Sequence, residues 1–167
     1  MDMPFSVPSL TVLALSLASL IQAANPAVEN DKAFVAKVSQ GGMYEVEASK
    51  YAETAATAPD VQDIAVMEVH DHTLVNDALK KIAVMEKIPV ASTLNATFKE
   101  RLDSLKSKSG PEFEAAYIAD MEQIHDNDQK LFAKEAMDGS ENFQVFARQT
   151  DLIVKRHIGA LHALDEK

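Results

Sequence analysis

The sequence predicts an all-α fold, a four-helix bundle, on three observations: four long stretches with apolar residues spaced by threes and fours, helix punctuation at their ends, and a composition without strand character. Of 167 residues, 47% are hydrophobic but only 6% aromatic, and tryptophan is absent, which favours helices packed through small side chains. The length suits one domain with a sizeable core. No strand-length alternation, tandem repeat or low-complexity tract competes with this reading.

The chain opens on an apolar run over residues 10–21, followed by Gln22-Ala23-Ala24-Asn25-Pro26, which reads as a signal peptide over 1–23 cut after Ala23. The run is short for a membrane span, which needs about 20 residues. Asp2 precedes it and no Lys or Arg does, a departure from the usual positive start. The expectation is a periplasmic or secreted protein with no integral span after cleavage, a short linker over 24–30 and a helical domain over 31–167.

The first helix is expected over 31–57, capped by Asn30 and stopped by Ala58-Pro59. The second runs from Asp60 to about Lys87, where Ile88-Pro89 ends it. The third opens at Pro111, suited to the first helical position after Ser109-Gly110, and closes at Asp138-Gly139. The fourth begins at Ser140 and reaches nearly to the chain end. Between the second and third lies a connector over 89–110, expected to carry a short helix over 98–105. Short turns inside each pair and a long crossover between them describe two antiparallel hairpins in a ferritin-like four-helix bundle.

Composition narrows the function. A formal charge of -10 repels nucleic acid phosphates and anionic membrane faces, so neither is an expected partner. With no cysteine there is no disulfide, thiolate nucleophile or sulfur-ligated metal site. The methionines are scattered, as core filling rather than a copper-binding tract. Any metal falls to His and carboxylate, and no protein partner is indicated.

The apolar seam is interrupted once or twice on every helix. Phe34, Val38, Gly41, Ala48, Ala52 and Ala55 line the first, with Glu45 in the remaining step. The second reads Val61, Ala65, Glu68, His72, Val75, Leu79 and Ile82, and the third Ile118, Met121, His125, Asp128 and Phe132. The fourth reads Phe143, Ala147, Thr150, Val154, Leu161 and Leu164, with His157 between Val154 and Leu161. Glu45 and His72 lie fourteen and thirteen residues from Pro59, and His125 and His157 are each sixteen from Glu141. Antiparallel hairpins put such residues at one height; a second turn centred on Gly139 would instead offset the histidines by four residues.

Glu45, His72, His125 and His157 are therefore candidate ligands for one transition metal ion: zinc, iron, copper, nickel or manganese. The alternative is a buried polar cluster satisfied by hydrogen bonds, since unpaired burial would cost several kcal/mol. Glu68 is either a further ligand or a rim residue reaching solvent. Di-iron oxidase chemistry wants Glu-x-x-His on two helices, and only Glu122-Gln123-Ile124-His125 fits. Gly41-Gly42, inside the first helix, either admits a close neighbour or marks a kink or later start. His70 faces outward, and His162 lies too near the chain end to join the site.

The segment Gly41-Gly42-Met43-Tyr44-Glu45-Val46, with Asp71-His72-Thr73, Tyr117, His125 and His157, resembles a bacterial domain-of-unknown-function family. Its members are commonly labelled predicted outer membrane proteins and assigned a ferritin-like fold. The resemblance spans residues 32–164. It implies an exported four-helix protein whose motif glutamate and histidines fall on Glu45, His72, His125 and His157, and it implies no established activity. Where the family often has Leu-Pro early in the fourth helix, this chain has Asp151-Leu152, without the proline expected to kink it before His157.

Two functions of different class follow. One is an exported metal-binding protein, with Asp71, Tyr44 and Tyr117 as candidate partners for the imidazoles' outer N–H groups. The other is a non-enzymatic structural or adaptor bundle of the envelope whose polar layer fixes helix register. A hydrolase is disfavoured, because no nucleophile pairs with a His in a recognisable motif.

Overall fold

A computed structural model describes residues 26–165. The expected signal peptide lies outside them. The described residues form five helices and no strand: α1 (Pro26–Ala55), α2 (Pro59–Met85), α3 (Ala96–Lys106), α4 (Gly110–Asp138) and α5 (Glu141–Asp165). The four long helices match the expected stretches closely, and α3 is the short helix of the connector. None of them is long and apolar enough to cross a membrane.

Two local expectations are corrected. The segment expected as a linker is already helical from Pro26, because proline suits a first helical position and Glu29 complements the helix dipole in the first turn. Asn30 consequently lies inside α1 and does not cap it. The helix runs unbroken through the glycine pair, which therefore does not delay its start.

Punctuation fixes the other ends. Lys87 adopts a φ of 57° and the Ile88 N–H reaches back 2.8 Å to the Ala83 carbonyl, closing α2 in a left-handed cap before Pro89. Asn95 caps α3 by accepting from the Phe98 N–H at 2.9 Å. Gly110 opens α4 at a φ of 53°, a region glycine enters without strain, and Pro111 follows in the first turn.

Helix directions follow from contacts at the two ends. Glu114 accepts from the Thr57 and Ala58 N–H groups where α1 ends and α4 begins, while Asp31 accepts from the Ser140 N–H at the opposite end. Hence α1 and α4 run antiparallel. Asp71 meets His157 and Glu86 meets Asn142, so α2 and α5 are antiparallel as well. The connector must therefore travel the length of the molecule. It is tied down along the α1–α4 side: Gln40 donates to the Thr93 carbonyl and accepts from the Asn95 N–H, and Arg101 binds Asp120.

The apolar interior is divided in two. One half gathers Tyr44, Ala48, Ala52, Ile64, Phe113, Tyr117, Met121 and Leu161; the other gathers Phe34, Val38, Val75, Leu79, Phe132, Phe143 and Val154. In the second half Phe34 meets Phe132 edge-on at 5.3 Å and Phe143 at 6.1 Å. On α2, α4 and α5 the ionisable seam residues fall between the last residue of one half and the first of the other, and on α1 Glu45 directly follows Tyr44, the first residue of its half. A single polar layer results.

Candidate metal centre

Each long helix delivers its part of the layer by periodicity. Glu45 follows Gly41 by one turn on the inward face of α1, and Glu68 precedes His72 by one turn on α2. His125 comes from α4 and His157 from α5; their rings, like both carboxylates, are at most 2% exposed. Equal height is met in both hairpins: Glu45 Oε2 lies 3.1 Å from His72 Nδ1, and His125 Nε2 lies 3.0 Å from His157 Nδ1.

Glu68 occupies the middle of this arrangement and is wholly buried, which removes the rim alternative of its two readings. One oxygen, Oε2, lies 3.0 Å from His72 Nε2 and 3.4 Å from His125 Nε2; the other, Oε1, lies 3.1 Å from His157 Nδ1. His72 Nε2 and His125 Nε2 are 3.3 Å apart. Each of Glu68, His72, His125 and His157 thus offers a ligand atom, and these atoms lie within 4.8 Å of one another, so the group is able to hold a metal ion. Four ligands about 2.0–2.1 Å from a tetrahedral ion stand roughly 3.3 Å apart, a spacing that the nearest pairs here approach.

The outer nitrogens are occupied in turn. His72 Nδ1 faces Glu45 Oε2, His125 Nδ1 lies 2.7 Å from the Met121 carbonyl, and His157 Nε2 lies 2.8 Å from Asp71 Oδ2, which also binds Arg156. When each outer N–H donates to its acceptor, the tautomer is fixed and the inner nitrogen keeps its lone pair. Three inner nitrogens converge beside one carboxylate. Only a cation, metal or proton, satisfies that geometry.

Electrostatics agree. Burial alone would raise the Glu68 carboxyl, but the close approach of the His125, His157 and His72 nitrogens outweighs it and holds it well below the usual range. Burial also opposes a charge on His125, yet the hydrogen bond and charge of Glu68, with help from Glu45, push that imidazole up to about 10. His72 moves the other way, lowered by burial and by the neighbouring rings despite Glu68. Burial and the charge of Asp128 lift Glu45 well above the carboxylate range.

The candidate ligands inferred from sequence all lie in this layer, but not in equivalent places. Glu45 reaches His72 on its outer side, and its Oε1 is 3.8 Å from His125 Nε2. Glu68 sits among the inner nitrogens; its spacing of one turn before His72 is the signal that places it. Of the expected outer partners Asp71 is in position, whereas Tyr44 binds Asp120 and Tyr117 pairs with Ser49 at 2.8 Å. His70 is exposed, as expected, and His162, left out of the site for its place near the chain end, is exposed too.

Residues 17–164 match the family described as "Domain of unknown function (DUF4142)". No curated protein matches the chain. A solved structure described as a DUF305 fragment from Deinococcus radiodurans shares the fold, with a TM-score of 0.73 at 11% identity over 84% of this chain and 97% of that one.

Proposed function

Since the chain belongs to the DUF4142 family, whose function is unknown, we propose its role from the site: an exported protein that binds one metal ion in a helical core. Glu68, His72, His125 and His157 are the ligands, with Glu45 and Asp71 orienting His72 and His157 from outside. The observation that carries this reading is the convergence of three inner imidazole nitrogens on Glu68 while every outer ring nitrogen faces an acceptor. A donor set of three imidazoles and one carboxylate suits zinc, iron, copper, nickel or manganese, imidazole favouring the first four.

The antiparallel pairing of α1 with α4 and α2 with α5, together with the full-length connector, supports a ferritin-like four-helix bundle. Export rests on the apolar run and the Ile21-Gln22-Ala23 site. Intact-mass measurement of periplasmic or secreted material tests it by loss of the first 23 residues.

A second reading has its own support. A proton retained on His125 also compensates Glu68, which would make the layer a structural register device in an envelope adaptor. Metal analysis of untagged protein, exposed to each of the five ions and then dialysed, separates the two. One ion per chain in a nitrogen-and-oxygen shell by X-ray absorption supports the metal centre; persistent absence of all five leaves the adaptor.

A further inference from the structure

Beside the polar layer, α1, α3 and α4 enclose a cavity of about 420 Å3. Its lining includes Gln40, Gly41, Arg101, Ile124, Asn127 and Asp128. Gly41 is one turn before Glu45, and Asp128 is three residues after His125, so the inner wall of the cavity abuts the candidate centre. Lys37 stands at the exposed rim. The Arg101 charge is committed to Asp120, with Nε 2.6 Å from Oδ1 and the guanidinium over the Tyr44 ring.

We propose that this cavity is the route by which a divalent cation reaches the Glu68–His72–His125–His157 centre, passing from Asp128 to Glu45 and then to the imidazoles. The inference rests on the metal-binding reading of that centre. Its geometrical support is the cavity itself, lined by Asp128, and the buried Glu45 carboxylate one turn beyond its Gly41 wall. Asp128 lies near enough for its charge to act on Glu45. Glu45 Oε1 is buried without a hydrogen-bond partner and stands 3.8 Å from His125 Nε2, one of the inner nitrogens. Oxygen donors hold a partly hydrated cation loosely enough to pass it on, while imidazole retains it.

A second hollow, on the α2–α5 side, is lined by Asp63, His70, Asp71 and Arg156. It ends at the wrong nitrogen. Asp71 there is bound to Arg156 and to His157 Nε2, so a cation would meet a guanidinium and then the outer edge of the ring.

The test is stopped-flow mixing of metal-free protein with cobalt(II) chloride, read by the absorption of the bound ion, and of cobalt-loaded protein with excess chelator. A route residue lowers the barrier in both directions, so its loss slows loading and release alike, by more than any change that its charge makes in the dissociation constant. Asp128→Asn is expected to slow both roughly tenfold, the low end of what charge focusing supplies. Gly41→Leu, which fills the cavity while favouring the helix, is expected to do the same; a Cβ at that position meets Ile124 only at an ordinary 3.9 Å. His70→Ala, in the other hollow, should change neither rate. Wild-type rates in both Asp128→Asn and Gly41→Leu overturn the route. Faster release from Asp128→Asn overturns it too, by making Asp128 a ligand. Failure of the wild type to take up cobalt refutes the metal centre itself.

Discussion

Glu45 meets His72 on the nitrogen that faces away from Glu68, with Oε2 3.1 Å from Nδ1, while Glu68 Oε2 lies 3.0 Å from Nε2 on the other side of the same ring. The two carboxylates therefore have unequal roles around one imidazole. Removing an acceptor that only orients a ligand costs about 10–100-fold in metal affinity. Glu45→Ala should fall in that range, and Glu68→Ala should lose more than about 100-fold. Competition titration against a chromophoric chelator measures both. The reverse order would make Glu45 the ligand.

Replacing a ligand and replacing a structural hydrogen-bond partner differ in their dependence on metal. An ion bound only by the folded state adds stability through mass action, about 2.7 kcal/mol at 100 times its dissociation constant. For His125→Ala and His157→Ala that increment should vanish, so the melting-temperature gain on adding zinc, iron, copper, nickel or manganese disappears. His70→Ala, on the exposed face, should retain the full gain. Calorimetry with each ion and with chelator reads the difference; equal shifts in all four proteins would leave only a structural polar layer.

Much of this layer is legible in the sequence because helical periodicity and hairpin symmetry are both strong constraints. Spacing by threes and fours puts Glu45, His72, His125 and His157 inside, and distance from Pro59 or Glu141 gives their height. Periodicity does not supply side-chain direction. Glu45 and Glu68 are both seam residues, and which of them lies among the inner nitrogens depends on rotamers that only packing fixes. The same blindness affects Tyr44 and Tyr117, whose long side chains carry their hydroxyls away to Asp120 and Ser49. The early start of α1 escapes the sequence reading because Asn30 is a good cap by type, and Pro26 is an equally good first residue.

Binding at this site must displace a proton. Hydrogen bonding to Glu68 pushes His125 up to about 10, so the metal-free imidazole is charged at neutral pH and an ion must expel that proton to take its Nε2. Affinity should therefore rise about tenfold per pH unit from about pH 7 to 9. Titration calorimetry in buffers of different ionisation enthalpy should count about one proton released per ion. A count of zero would show that the free site is already deprotonated.

The glycine pair in α1 offers a stability contrast between adjacent residues. An added methyl at Gly41 meets Ile124 Cδ1 at 3.9 Å, an ordinary contact, whereas at Gly42 it overlaps the Asn76 side-chain amide. Gly41→Ala should stabilise the protein by about 1 kcal/mol, the helix-propensity difference. In Gly42→Ala the same gain is offset by turning Asn76 aside, so the variant should be less stable than Gly41→Ala. Chemical denaturation of the two would reveal equal stabilities if Asn76 did not hold its place.

The far end of the molecule carries a carboxyl pair that should make stability fall with rising pH. Asp31 accepts the Ser140 N–H at 2.9 Å and so ties the α4–α5 turn to the start of α1. Glu135 shares a hydrogen bond with Asp31; burial first, then this bond and the Asp31 charge, push its carboxyl up to about 7, against a smaller opposing effect of Lys134. A raised carboxyl binds its proton more tightly in the folded state. Its contribution is therefore fully present below the unfolded value of 4.5 and is lost as pH climbs through about 7, where two carboxylates come to face each other. Glu135→Gln supplies an amide N–H to Asp31 at every pH. The variant should match the wild type near pH 4.5 and exceed it at pH 8 by on the order of 1 kcal/mol, allowing for solvent screening. Metal-free protein in urea, titrated across that range, reads the two slopes. Parallel slopes would mean that Glu135 ionises without consequence for the turn.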